Sequence, residues 1–176
     1  MQIMYVVSFL LMLFVLILTQ ARDDAAVVEN DSTAVAASMI LWHTEATHEC
    51  NDHACAGGVV DVYSRLPPMV KAGPAFASSP TSPKFITRYD NVNNTLVTYM
   101  ATSASRASVS FGTVNGAMAE IAKQRGDTSQ VGRWDSSSGR VYFGFKNVAG
   151  NRWQTLPNPF MGGIIPDGSP VMLSHP

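Results

Sequence analysis

The sequence predicts an α+β protein with an N-terminal transmembrane helix, a second helix, and then a small antiparallel sheet that carries one further helix. Three observations predict this class. An uncharged apolar segment opens the chain, an Ala-rich segment of helical periodicity follows it, and short β-branched and aromatic runs alternate with turn residues after residue 84. Beyond the transmembrane helix the expected order is helix-β-β-α-β-β-β, with the helices on one face of the sheet.

The opening segment, residues 1–21, contains no Lys, Arg, Asp or Glu. Within it, the 17 residues from Ile3 to Thr19 include 15 apolar ones, which is at the short end of what spans a bilayer as a helix. A cleaved signal peptide normally has a basic residue near its start, and MQIMY has none, so a retained membrane anchor is favoured over cleavage. Both alternatives predict that the rest of the chain is exported.

Residues 22–65 are expected to be mainly helical, because Ala-rich sequence forms helix well and the pair Gly57 and Gly58 is suited to end one. Successive spacings of 4, 3, 4 and 3 place five residues on one stripe of this helix. The stripe is only mildly apolar, and we expect it at the edge of a core: Met39, His43, Ala46, Cys50 and His53.

Residues 66–83 contain five prolines and many small residues, which disfavour regular structure. We expect a surface connection, acting as a hinge or as an interaction segment. It separates the helical segment from an exported α+β domain at residues 84–176.

Within this domain, KFITRYD and NTLVTYMA are expected to form a hairpin through the turn NVNN. A helix is expected from Thr113 to Gln124, with an apolar face formed by Val114, Ala117, Met118 and Ile121. SQVGRWD and GRVYFGFKN predict a second hairpin, and IIPDGSPVML predicts a turn followed by a last short strand.

The charge balance excludes some functions. The chain has 12 Lys and Arg against 13 Asp and Glu, a net charge of -1, so no basic field favours nucleic acid. The sequence contains no GxGxxG, GxxxxGK, GxSxG or CxxC motif, and no nucleophile lies beside a plausible base. We expect no enzyme, no catalytic residue and no cofactor.

The stretch WHTEATHECNDHAC holds both cysteines of the chain and three of its four histidines. His48, Glu49 and His53 resemble a zinc protease motif, but the histidines are five residues apart instead of four. They therefore diverge by about 140° around a helix and do not share one ion. The remaining candidates for a metal site are His48, Cys50, His53 and Cys55, and they would need the helix to end early and fold back.

A disulfide between Cys50 and Cys55 is the favoured interpretation, because an even number of cysteines in an oxidising compartment usually pairs. It requires the helix to unravel between them. Unpaired thiols and a metal site are the alternatives.

The sequence resembles the PilM family of thin, type IVb conjugative pilus systems. The resemblance runs from about Ala36 to Leu173 and is carried by GVVDVYSRLPP, GRVYFGF and the closing PFMGGIIPDGSPVML, in which Ile165, Pro166, Gly168, Ser169 and Val171 match the family's closing pattern. It implies a single-pass protein of the bacterial inner membrane with its main domain in the periplasm. The Cys and His cluster is not part of this pattern.

The resemblance and the residues together predict a membrane-anchored structural component of the pilus basal body that binds other pilus-assembly proteins. Its partners would contact an exposed sheet edge, by strand addition, or the Pro-rich connection. A minor-pilin-like filament subunit and an exported metal or thiol protein that uses Cys50 and His53 are the alternatives. The oligomeric state is left open.

Overall fold

The structure is a computed structural model that describes residues 31–53, 55–71, 85–101, 110–125, 130–143, 152–156 and 165–176. Its helices are α1 over 31–53, α2 (Pro68–Lys71) and α3 (Phe111–Arg125), with a 3₁₀ turn at Tyr63–Arg65. Its strands are β1 (Gly58–Val59), β2 (Phe85–Asp90), β3 (Thr95–Met100), β4 (Val131–Asp135), β5 (Arg140–Phe143), β6 (Arg152–Thr155) and β7 (Pro170–Ser174).

The seven strands form one antiparallel sheet in the order β1-β2-β3-β7-β4-β5-β6. The last strand, β7, lies between the two hairpins and joins them into one sheet. Its residues Val171, Met172 and Leu173 are all buried, as expected for a central strand with both faces covered. The two halves of the sheet therefore depend on a strand that comes after both of them in the chain.

One face of the sheet packs against the helices. Facing pairs such as Phe85 with Met100 and Thr87 with Thr98 share this face, because directly opposed residues point to the same side. They meet residues of α1 and α3 in one core: Val35, Ala36, Met39, Trp42, Ala46, Val114, Met118 and Ala122. The helical segment and the α+β segment that follows residue 84 thus share one core.

The opposite face of the sheet has a second apolar cluster. Val97 and Tyr99 of β3, Trp134 of β4 and Val141 of β5 are buried there, with Leu156 and Ile165 from beyond β6. The regular alternation along β3 thus buries every one of its residues, half on each face.

The turn before β7 is held by several polar contacts. Gly168 has φ of 74°, a conformation that favours glycine, and its carbonyl oxygen accepts a hydrogen bond from Asn115 Nδ2 of α3 at 2.9 Å. Ser169 is fully buried and donates from Oγ to the carbonyl oxygen of Met100 at 2.8 Å. The Pro-Asp-Gly-Ser sequence of the closing pattern therefore sets the entry of β7 into the sheet.

The predicted fold class is wrong in the number and order of its strands. Five strands were expected, whereas the described residues form a sheet of seven. The two strands that were not predicted are β1 and β6. They contain two and four residues, too few to show a periodic pattern. No helix in the described ranges has the length and apolar character needed to cross a membrane. The transmembrane helix expected at residues 1–21 lies outside those ranges.

Several local elements are confirmed. The hairpins β2-β3 and β4-β5 and the strand β7 lie where the sequence placed them, and α3 extends slightly beyond the expected Thr113 to Gln124. The stripe on α1 is more deeply buried than expected: Met39, His43, Ala46 and Cys50 are at most 8% exposed, and only His53 is exposed. The helix is covered by the sheet, which brings the stripe into the core.

Candidate functional site

The two cysteines are joined. The Sγ atoms of Cys50 and Cys55 lie 2.06 Å apart, as a disulfide, and the Cα atoms are 4.6 Å apart. Cys50 is buried near the end of α1, whereas Cys55 follows the helix and packs at the edge of the same core. The bond fixes the chain as it leaves α1 toward β1. Both thiols are thereby removed as metal ligands.

The two histidines nearest the cysteines in sequence lie at the surface. His48 and His53 are exposed, and His53 Nδ1 lies 3.5 Å from Glu49 Oε2. No group of three or more His, Cys, Asp and Glu residues within the described parts is arranged to hold a metal ion. Of the four candidate ligands, the two cysteines are bonded to each other, and no three of the four are arranged to hold a metal ion.

Glu49 is instead engaged by Arg65 of the 3₁₀ turn. Arg65 Nη2 donates to Oε1 of Glu49 at 2.8 Å, and Arg65 Nε lies 2.7 Å from Oε2 as an ion-pair contact without hydrogen-bond alignment. The arginine side chain is about half exposed, so water screens the pair and its contribution to stability is small. Together with the disulfide, it holds the end of α1 against the segment that follows β1.

The most unusual polar group in the core is His43 of α1, which is 3% exposed. Its Nδ1 lies 2.8 Å from Oγ1 of Thr98, which lies 2.7 Å from Oγ1 of Thr87. Trp42 Nε1 donates to the same Thr87 oxygen at 3.1 Å. These four side chains form a continuous buried hydrogen-bonded chain between α1 and the first hairpin.

The chain of hydrogen bonds can run in two directions. An indole N–H only donates, so Thr87 accepts from Trp42, and each threonine hydroxyl has one hydrogen to give. If Thr87 donates to Thr98 and Thr98 donates to Nδ1 of His43, the proton of the neutral ring is on Nε2, which has no partner. In the reverse direction Nδ1 carries the proton, and the Thr87 hydroxyl hydrogen has no acceptor among the described contacts. Each direction therefore leaves one buried donor unpaired.

His43 is neutral at physiological pH. Its burial in the core disfavours the charged imidazolium and lowers the pKa of His43 to about 4. Its Nε2 atom is buried and has no hydrogen-bond partner. Such an unpaired buried nitrogen is uncommon in a folded core.

A cavity of about 240 Å³ adjoins His43, between α1, α3, β4 and β7. Its apolar lining comes from Ile40, Ala122, Val131 and Met172. Polar lining is supplied by hydroxyl, imidazole and amide groups at Thr44, Thr47, His48, Gln130 and Ser174. Thr47 Oγ1 donates to the carbonyl oxygen of His43 at 2.9 Å and lies 3.3 Å from Oγ of Ser174, which ties α1 to β7 at the cavity wall.

An exposed acidic turn lies at the opposite end of β4. Oδ1 of Asp167 accepts hydrogen bonds from both the backbone N–H and the hydroxyl of Ser136, each at 2.9 Å. These two bonds lower the pKa of Asp167, and the backbone bond has the larger effect. Asp135 similarly accepts from Ser137, which lowers the pKa of Asp135. Both carboxylates serve as hydrogen-bond acceptors within turns.

The first edge of the sheet is formed by β1. Val60 N donates to the carbonyl oxygen of Thr87 at 3.0 Å, so the backbone groups of Val60 point toward β2. Since this orientation alternates along an antiparallel strand, the N–H and C=O of Val59 point away from β2. The side chain of Val59 is 67% exposed. No described strand lies beyond β1.

Sequence reasoning placed His43 on a helix stripe but assigned it no role. The signal was present: the stripe and the strand alternation put His43, Thr87 and Thr98 on buried faces beside Met39, Phe85 and Met100. Buried polar groups must find partners.

The comparisons with known proteins add no identification, since no protein family, no curated protein and no solved structure matches this chain.

Proposed function

We propose that this chain is a non-enzymatic structural component of a conjugative type IV pilus assembly apparatus, located on the periplasmic side of the bacterial inner membrane. Its domain binds other pilus-assembly proteins through the edge strand β1. The observation that carries the binding surface is the outward-facing backbone of Val59 beside its exposed side chain.

The disulfide supports an exported domain. Bonds of this kind persist in oxidising compartments such as the periplasm and are rare in the cytosol. The Cys50–Cys55 bond lies a few residues before β1 and, with the Arg65 and Glu49 ion pair, holds the chain on both sides of that strand. A rigid edge favours strand addition, because less conformational entropy is lost when the partner binds.

The sequence resemblance to the PilM family supports the choice of apparatus. Residues of its closing pattern have structural roles: Gly168 forms the turn, Ser169 joins it to β3, and Ile165 and Val171 are buried. Such positions preserve a scaffold and leave binding to the surface. This division of roles fits an assembly protein that acts through contacts.

Photo-crosslinking in cells that carry the pilus system tests this proposal. A benzophenone amino acid at position 59 should form products with other pilus-assembly proteins, identified by mass spectrometry. The same group at Leu41, which is 37% exposed on α1, is the matched control because it replaces an exposed apolar residue outside the sheet. Equal products from both positions, or none from position 59, would contradict the proposed surface.

A backbone variant separates the edge from the side chain. Val59→Pro removes the outward N–H without removing a bond to β2, because that N–H points away from the sheet. We expect loss of pilus assembly with an unchanged circular dichroism spectrum. Val59→Ala, which keeps the N–H, should retain most of the pilus assembly. Normal pili with Val59→Pro would refute strand addition at β1.

A further inference from the structure

The turn of the first hairpin, residues 91–94, exposes an apolar side chain at its tip. Val92 in this turn is 86% exposed and Val59 of β1 is 67% exposed. No other large hydrophobic side chain whose exposure the structure describes is as exposed as these two. A single apolar residue at a surface is common, but two at one corner of a sheet form a patch. The position of the turn relative to β1 therefore decides what the pair can do.

The turn lies beside the β1 edge. Val59 is opposite Arg88, which is two positions before the end of β2, so Val59 lies about 7 Å along the strand direction from the start of the turn. The first turn residue also reaches β1, because a Cβ atom on Gly57 would lie 3.0 Å from Oδ1 of Asn91. The turn and the edge strand form one continuous corner of the sheet.

Hydrogen bonds hold this turn in one conformation. Oδ1 of Asp90, at the end of β2, accepts from the backbone N–H of Val92 at 3.0 Å. Asn94, with φ of 49°, accepts on Oδ1 from the hydroxyl of Tyr89 at 2.7 Å. Nδ2 of Asn94 donates to the carbonyl oxygen of Pro176, beyond β7, at 2.6 Å. A turn that is already ordered loses little conformational entropy when a partner binds it.

We propose that the partner that adds a strand to β1 also has an apolar pocket beside that strand, and that this pocket takes the side chain of Val92. This inference rests on the proposed contact at β1 and specifies its partner, since one protein supplies both the strand and the pocket. The other three turn residues are neutral amides: Asn91, Asn93 and Asn94. We expect an uncharged, hydrogen-bonding rim around the pocket, because a charged rim would lose hydration without gaining an opposite charge.

Photo-crosslinking in cells that carry the pilus system tests the pocket. A benzophenone amino acid at position 92 should form a product with the same protein that position 59 captures, identified by mass spectrometry. The matched control is Ser137, an exposed residue in the turn of the second hairpin. That turn lies at the opposite end of the sheet, because β3 and β4 both run antiparallel to β7, and β3 begins at the first turn whereas β4 ends at the second. A product from position 59 with none from position 92, or with a different protein at position 92, would overturn the pocket and leave the β1 contact standing.

A charge at the tip provides the second measurement. Val92→Asp places a carboxylate in the apolar pocket and should lower the yield of the position 59 product at least about fivefold, since burial of a valine side chain is worth about tenfold in affinity or more. Ser137→Asp adds the same charge to the other turn and should leave this yield unchanged. Thermal unfolding should be the same for both variants, because both positions are exposed.

The outcomes separate the two proposals. An unchanged yield with Val92→Asp, at equal protein level, would overturn the pocket alone. If position 59 forms no product in the chain that retains Val92, both proposals are contradicted, because the pocket is placed next to the strand that β1 binds.

Discussion

The Oγ1 atom of Thr98, in the middle of β3, lies 2.8 Å from Nδ1 of His43 on α1, and this contact joins the helix to the sheet through the core. It is one member of the chain that begins at Trp42, whose ring also packs against Phe85 with ring centroids 6.0 Å apart. Apolar packing alone would allow α1 to slide along the sheet. The hydrogen bonds specify one position, because each partner is buried and would be left unpaired in any other.

Removing the central hydroxyl should destabilise the fold. Thr98→Val keeps the side-chain shape but leaves both His43 Nδ1 and Thr87 Oγ1 without their contact to the Thr98 hydroxyl. We expect a loss of about 3 kcal/mol in the free energy of unfolding, measured by urea denaturation at pH 7. Thr44→Val is the control, because Thr44 donates only to a backbone carbonyl within α1 and should change stability by less than about 0.5 kcal/mol. Similar losses in both variants would contradict the buried chain.

Acid should weaken the fold through His43. Its pKa is lowered from 6.5 to about 4 in the folded protein, so between these pH values the unfolded chain binds a proton that the folded one does not. The stabilisation is complete above pH 6.5 and is lost as the pH falls toward 4. The loss should be about 3 kcal/mol, at 1.36 kcal/mol per pKa unit.

Urea denaturation at pH 7.0 and 4.5, compared between the natural protein and His43→Gln, isolates this contribution. The variant should lose less stability on acidification, because it has no imidazole at position 43. An NMR titration of the His43 ring provides a direct check. A midpoint near 6.5 would show that the ring is not desolvated.

The disulfide should stabilise the folded state by restricting the unfolded chain. Cys50 and Cys55 are five positions apart in the sequence, and closing so short a loop is worth about 2 kcal/mol. The double variant Cys50→Ala/Cys55→Ala should lose about this amount in urea denaturation. Intact mass after alkylation without reductant should show no modified thiol, and two after reduction. Two reactive thiols before reduction would contradict the bond.

Local features of this fold could be predicted from the sequence because each has a short-range cause. Alternating β-branched and aromatic residues around NVNN and SSSG specify the two hairpins, and the spacing of Val114 and Met118 specifies the inner face of α3. The position of β7 has no such cause. Its place between β3 and β4 depends on pairing with strands tens of residues away, which a linear pattern does not encode.

The candidate site was missed for a related reason. His43 is 44 positions from Thr87 and 55 from Thr98, so no local motif marks the group. The cysteine and histidine cluster attracted attention because its members are close in sequence, yet its cysteines form a disulfide and His48 and His53 are exposed.

Two glycines should respond in opposite directions to the same substitution. A Cβ atom on Gly132 of β4 would lie 2.5 Å from Val141 Cγ1 and 2.7 Å from the backbone oxygen of Tyr142, so Gly132→Ala requires β5 to shift. Overpacking of this kind costs about 1 to 3 kcal/mol. Gly116 lies within α3, where an added Cβ meets nothing within 4 Å, and Gly116→Ala should stabilise by about 0.5 to 1 kcal/mol through helix propensity. Thermal unfolding of the two variants beside the natural protein measures both effects. A neutral Gly132→Ala would mean that β4 and β5 are not held in the close register in which Gly132 pairs with Phe143.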